Sequence, residues 1–119
     1  MALTIKHRVT IDMSHGSAVP IVPFHKGDSG AHVIVFSIRN GGEVVLLPDG
    51  VTASVTVKNG KGTGEACTVD NAANTITYSP TPEALSVSGN IPSYIKICDN
   101  LGAAICTPHF IFSVIEEFE

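Results

Sequence analysis

The sequence predicts an all-β fold: a single antiparallel β-sandwich of about eight or nine strands, of Ig-like or jelly-roll-like kind, with one short helical turn. Three observations carry this. Apolar and polar residues alternate with period two in segment after segment, as half-buried strands require. Residues 31–38, AHVIVFSI, form a β-branched run that is apolar on both faces, which suits a central strand. Turn-forming clusters recur at short, regular intervals, and no long amphipathic helix interrupts them.

At the N-terminus, Leu3, Ile5, His7, Val9 and Ile11 alternate with Thr4, Lys6, Arg8, Thr10 and Asp12. Residues 18–25 contain Pro20 and Pro23, so they are extended but unsuited to a central strand, where proline would break the ladder. Gly27-Asp28-Ser29-Gly30 is a turn, and the apolar strand follows it. Asn40-Gly41-Gly42 is a second turn, leading to a short strand over residues 43–47 and a third turn at Pro48-Asp49-Gly50. Strands are then expected over 51–58, 65–70 and 75–79, separated by Asn59-Gly60-Lys61-Gly62 and by the turn 71–74. Residues 80–87 supply the helical turn, with Pro82 and Glu83 in its first turn and Gly89 as the stop. Strands over 91–98 and 104–115 close the chain around the turn Asn100-Leu101-Gly102.

The chain of 119 residues is read as one domain spanning 1–119, long enough for one core without staples. Seven Lys+Arg stand against 11 Asp+Glu, and no basic run exceeds Lys6-His7-Arg8, which argues against nucleic acid as a partner. No apolar run approaches the ~20 residues that span a bilayer, and the N-terminal alternation differs from the unbroken apolar stretch of a signal peptide. A soluble protein made in the cytoplasm, without a membrane partner, is the expectation. The odd count of three cysteines argues against a secreted disulfide framework.

Ser29, the cysteines and the histidines are the candidates for chemistry. Ser29 sits in Gly-Asp-Ser-Gly, as the nucleophile of trypsin-like proteases does, but Ala31 follows where a glycine would stand, and no Ala-Ala-His-Cys segment precedes it. A serine nucleophile needs a base, an orienting carboxylate and an oxyanion hole, so this stretch reads as a turn. Cys67, Cys98, Cys106 and His109 could supply four metal ligands, yet they lack the close pairs on short knuckles that structural zinc uses. Cys67 and Cys98 read as small strand hydrophobes, and a Cys98–Cys106 bridge is geometrically possible but unsuited to a reducing compartment. His7, His15, His25, His32 and His109 are scattered, and His7, on the apolar side of the first strand, reads as a hydrogen-bonded core or interface histidine. Trp is absent, and both tyrosines, Tyr78 and Tyr94, fall in strand patterns where burial is expected. No catalytic, cofactor-binding or metal-binding residue is therefore assigned, and no cofactor is expected.

The order of these turns and strands resembles the N-terminal domain of phage baseplate upper proteins, the BppU family. Phe24, Gly27 and Asp28 match its hydrophobic-x-x-Gly-Asp turn; Asn40, Gly41 and residues 45–47 match its Asn-Gly turn and Val-x-Leu edge. Residues 53–60, 75–78, Leu85, Gly89, 91–97, 99–102 and Thr107-Pro108-x-Phe110 follow in the family's order. The resemblance covers essentially the whole chain, and departs from the family at the proline-rich stretch 19–23, at Pro48-Asp49-Gly50 and in its three cysteines.

It implies a non-enzymatic adaptor of a phage or prophage tail baseplate, attaching receptor-binding fibres to the tail tip of a siphophage of Gram-positive bacteria. The implied partners are other tail and baseplate proteins and the receptor-binding protein. The implied locations are the virion, and the host cytoplasm during assembly. Because family members usually continue into helical, trimerising segments, the chain is expected to be a compact prophage protein or one domain of a longer one. A weak homo-oligomer, trimeric in the particle, is the matching expectation. Two rival readings are a small carbohydrate-binding module and a metal-dependent enzyme of cupin-like shape.

Overall fold

In the computed structural model, which describes residues 4–14, 19–26, 28, 30–58, 65–82 and 84–115, the chain forms two packed β-sheets. The strands are β1 (Ile5–Asp12), β2 (Ile21–His25), β3 (His32–Asn40), β4 (Glu43–Val44), β5 (Thr52–Val57), β6 (Glu65–Ala66), β7 (Thr68–Asp70), β8 (Thr75–Tyr78), β9 (Gly89–Cys98), β10 (Ala104–Cys106) and β11 (Phe110–Ile115). One sheet runs β1-β3-β8-β7 with β4 beside β3; the other runs β2-β11-β9-β5-β6 with β10 beside β9.

The expected sandwich is present, and both sheets are mixed: β1 pairs parallel with β3, and β2 parallel with β11. The cause is local. β2 crosses to the opposite layer between β1 and β3, so the chain reverses twice and β3 returns in the direction of β1. The five-residue β2, with Pro23 inside it and Pro20 just before it, is an edge strand, as proline requires. The apolar run becomes β3, hydrogen-bonded on both sides, with Ile34, Phe36 and Ile38 fully buried between the layers.

Aromatic rings from the two layers interlock in the core. Phe36 lies 5.0 Å from Phe110, and Phe24 lies 5.0 Å from Phe112 in edge-to-face geometry. The turn 40–43 is a two-residue hairpin loop with Gly41 and Gly42 at φ 63° and 88°, the pair of positive angles that a type I′ turn demands. Asp12 ties the end of β1 to that loop: its carboxylate accepts from Ser14 N, Ser14 Oγ, Gly41 N and Gly42 N at 2.6–2.9 Å. These bonds hold the Asp12 carboxyl well below the usual carboxylate range.

Four segments differ from the sequence expectation. Residues 65–70 are not one strand. The chain breaks at Cys67, so β6 pairs with β5 in one sheet and β7 with β8 in the other, which closes this flank of the sandwich. Residues 104–115 are also two strands, because β10 and β11 pair with β9 in registers offset by one residue. The extra residue makes a bulge, filled by buried Thr107, whose N–H donates to Ile95 O and whose Oγ1 accepts from Ile95 N. Of residues 43–47 only the first two pair in a ladder, since Leu47 turns into the core while Leu46 stays exposed. In 80–87 the i→i+3 bonds Ala84 N to Thr81 O and Leu85 N to Pro82 O make a single turn, and the described residues there form no regular helix. So short a segment cannot offset helix nucleation, and its role is to bury Ala84 and Leu85.

Candidate functional site

The two flanks of the sandwich differ. At one, β6 and β7 run continuously from layer to layer; at the other, β1 and β2 end their sheets side by side, with Phe24 of β2 5.4 Å from the His7 ring of β1. Into this open flank the chain brings a line of polar groups. Asp28 Oδ2 accepts from His32 Nε2 at 2.6 Å and from the His25 backbone N–H at 3.1 Å. His32 Nδ1 lies 2.9 Å from His7 Nε2, and the two rings stack at 5.1 Å.

Local sequence explains each position. His32 opens β3 with the inward parity of Ile34 and Phe36, so it is buried at 8% exposure and must be hydrogen-bonded. His7 has the inward parity of Val9 and Ile11 but sits nearer the strand's exposed start, and is half-buried. The edge of the Phe24 ring meets His32 at 4.8 Å. With Asp28 ionised, His32 Nε2 carries the proton that it donates, leaving Nδ1 to accept from His7 Nε2–H or, once His32 is charged, to donate to it. Burial, and then the charge of His32, push the His7 pKa down. Burial would raise that of Asp28, but the bonds from His32 and His25 outweigh it and hold the carboxyl below its usual range. The arrangement can pass a proton along its length and can hold one charge on the histidine pair. Two would set donor against donor.

The other sequence candidates do not join this line. Ser29, Gly27 and His15 lie outside the described residues, while Asp28 of the same turn orients His32. His25 and His109 are exposed. Tyr78 is buried as expected, its hydroxyl donating to Glu65 Oε1, whose other oxygen accepts from Thr81 Oγ1 at 2.7 Å. Tyr94 departs from the expectation: it points away from the core, half-buried, with His109 at 5.8 Å and Lys58 Nζ 5.5 Å above the ring. Its neighbours Ser93 and Ile95 take the inward parity, so Tyr94 is left outside.

Cys67, Cys98 and Cys106 are free thiols. Cys98 faces Ala104 and Cys106 faces Lys96, so the two cysteines of the hairpin sit diagonally, beyond the Cβ separation of a disulfide. Among the described residues no group of three or more His, Cys, Asp or Glu is placed to hold a metal ion. No described helix is long and apolar enough to cross a membrane.

An apolar recess of about 180 Å³ opens between the layers where Leu47, Val51 and Ile97 meet Ile105. The sequence offered no sign of it, because Ile105 takes core parity on a strand too short to be covered. The His7–His32 contact was missed as well, although both histidines stand at inward parity in their strands, which was the available signal.

Comparison with known proteins bears on the chain as a whole. The family model described as the BppU N-terminal domain matches residues 5–118. Among solved structures, the "N-terminal domain of phage TP901-1 ORF48" superimposes with a TM-score of 0.74 at 19% identity, covering 92% of this chain and 98% of that one. At that identity the likeness is one of fold. No curated protein matches the sequence.

Proposed function

The chain belongs to the BppU N-terminal domain family, and from that membership we propose that it is a structural protein of a phage or prophage tail baseplate. In this reading it links receptor-binding fibres to the tail tip through protein–protein contacts and catalyses no reaction. The single observation that carries it is the family match over residues 5–118. The fold shared with a phage protein domain supports it.

Its partners are the other tail proteins and the receptor-binding protein. It assembles in the host cytoplasm and ends in the virion. Alone it is a monomer or weak oligomer, and the particle supplies the multivalency, as a trimer within the assembled baseplate.

The test is co-purification with the tail proteins encoded beside it, together with antibody labelling of virions in electron micrographs. Decoration of the tail tip is the expected result. Virions from an induced, expressing lysogen that bind no antibody would reject the reading.

A further inference from the structure

The strand β1 ends its sheet, and among the described residues no strand pairs with its outer side. Its ladder to β3 uses alternate residues: Ile5 N donates to Ala31 O and, just past the strand, Met13 N donates to Arg39 O, both at 2.7 Å. In a parallel ladder the intervening residues point their N–H and C=O groups the other way. The backbone groups of Lys6, Arg8 and Thr10 therefore face outward from the sheet edge.

Natural edges are kept from pairing by shortness, proline, bulges or charged side chains, lysine above all. The neighbouring edge β2 follows that rule, with five residues and Pro23 inside it. In contrast, β1 has eight residues, no proline and an unbroken register against β3 from Ile5↔His32 to Asp12↔Arg39. It is a regular template guarded by charge alone, that of Lys6 and Arg8, which an acidic strand would neutralise.

The side chains on the same residues define what fits. Lys6 and Arg8 are exposed on the outer face, and their neighbours across the ladder are Val33 and Val35, which offer no countercharge. Among the described residues neither cation has an ion-pair partner, on a chain whose net charge is −4. A second copy pairing antiparallel about Arg8 would set the two arginines face to face. An acidic strand would meet both charges.

We propose that the outer edge of β1 is a strand-addition site, which takes an extended segment of a partner protein carrying acidic side chains at alternate positions. Main-chain bonds to Lys6, Arg8 and Thr10 give the hold, and the two cations select the partner. That the partner is a tail protein rests on the proposed function; strand addition does not, and its test uses no tail protein.

The whole chain, isotope-labelled for amide exchange by NMR, is titrated with an eight-residue peptide alternating Val and Glu, and separately with one alternating Val and Lys. The Val–Glu peptide is expected to protect the amides of Lys6, Arg8 and Thr10, binding at least about tenfold more tightly than the Val–Lys peptide. In the double variant Lys6→Glu/Arg8→Glu, whose fold is checked by its unchanged β11 resonances, the preference inverts and the Val–Lys peptide protects the same amides. Three results overturn the proposal: no protection at millimolar peptide, equal protection by both peptides, or amides already protected in the free protein in proportion to its concentration, which would assign the edge to a second copy.

Discussion

His7 Nε2 lies 2.9 Å from His32 Nδ1, joining two strands whose histidines are 25 residues apart in sequence. The bond continues to Asp28, so three ionisable groups of the open flank share one line of hydrogen bonds. Its geometry admits one extra proton on the pair. The second breaks it.

Stability should therefore fall on mild acidification. Burial and the charge of His32 lower the His7 pKa from its ordinary 6.5, so the folded state disfavours the charged ring. The His7 contribution is complete above pH 6.5 and is lost as pH falls below it toward the folded value. Asp28 has the opposite charge but the same sign of effect. Its lowered pKa gives stability above the ordinary 3.8 that disappears only at lower pH. Thermal melts at pH 7.5 and 5.5 should show a decrease for the native chain and a smaller one for His7→Leu. Equal decreases would mean that His7 does not report the pH.

The closed flank gives an alkaline counterpart. Tyr78 of β8 donates to Glu65 of β6 across the layers, and burial, followed by that carboxylate, pushes its hydroxyl far above the ordinary 10.0. A raised folded pKa means stability that is complete below pH 10 and is lost as pH rises beyond it. Tyr78→Phe should cost about 1.5–3 kcal/mol at neutral pH, the worth of a hydrogen bond to a charged group. It should also remove much of the unfolding above pH 10. Denaturant titrations at pH 7 and 10.5 measure both, and an undiminished alkaline loss in the variant would put its origin elsewhere.

How far the sequence foretold this fold depends on range. The apolar run of β3 and the prolines at and just before β2 are local signals, and both strands lie where those signals put them. The strand breaks at Cys67 and Thr107 are tertiary events: one lets the chain change sheets, the other absorbs a one-residue offset against β9. No glycine or proline marks Cys67, and Pro108, beside Thr107, signals a break but not the change of register that comes with it. The line from Asp28 to His7 was illegible for a related reason. Alternation put His7 on the apolar side of its strand, but the run that holds His32 is apolar on both faces, and neither signal makes β1 and β3 neighbours in parallel register.

The Thr107 bulge offers a direct test of such a break. The Thr107 hydroxyl oxygen accepts from the Ile95 N–H at 3.0 Å in the core, so Thr107→Val keeps the shape and orphans a buried donor. The expected cost is about 1–3 kcal/mol, the penalty of an unsatisfied buried amide. Thr107→Ser, which keeps the oxygen, should recover most of it. If valine and serine variants unfold at the same denaturant concentration, the hydroxyl does not support the bulge.

The thiols should differ sharply in reactivity. Thiolate is the nucleophile, and burial pushes the Cys67 thiol up to about 12, so at pH 8 its thiolate fraction is about one in ten thousand. Its N–H is bonded to Ala53 O at 2.9 Å where the chain passes between sheets, so exposing it requires the closed flank to open. Cys106 is exposed on the short outer strand β10, within direct reach of a reagent. Iodoacetamide at pH 8, followed by peptide mass spectrometry, should therefore modify Cys106 first and Cys67 last. Under oxidised glutathione, Cys106 should become a mixed disulfide and should not close onto Cys98, because their diagonal register keeps the two sulfurs apart. Labelling of Cys67 as fast as Cys106 would show that the β6–β7 crossing opens freely. A Cys98–Cys106 bridge would require β10 to slip by two residues, since a slip of one would turn Cys106 to the opposite face.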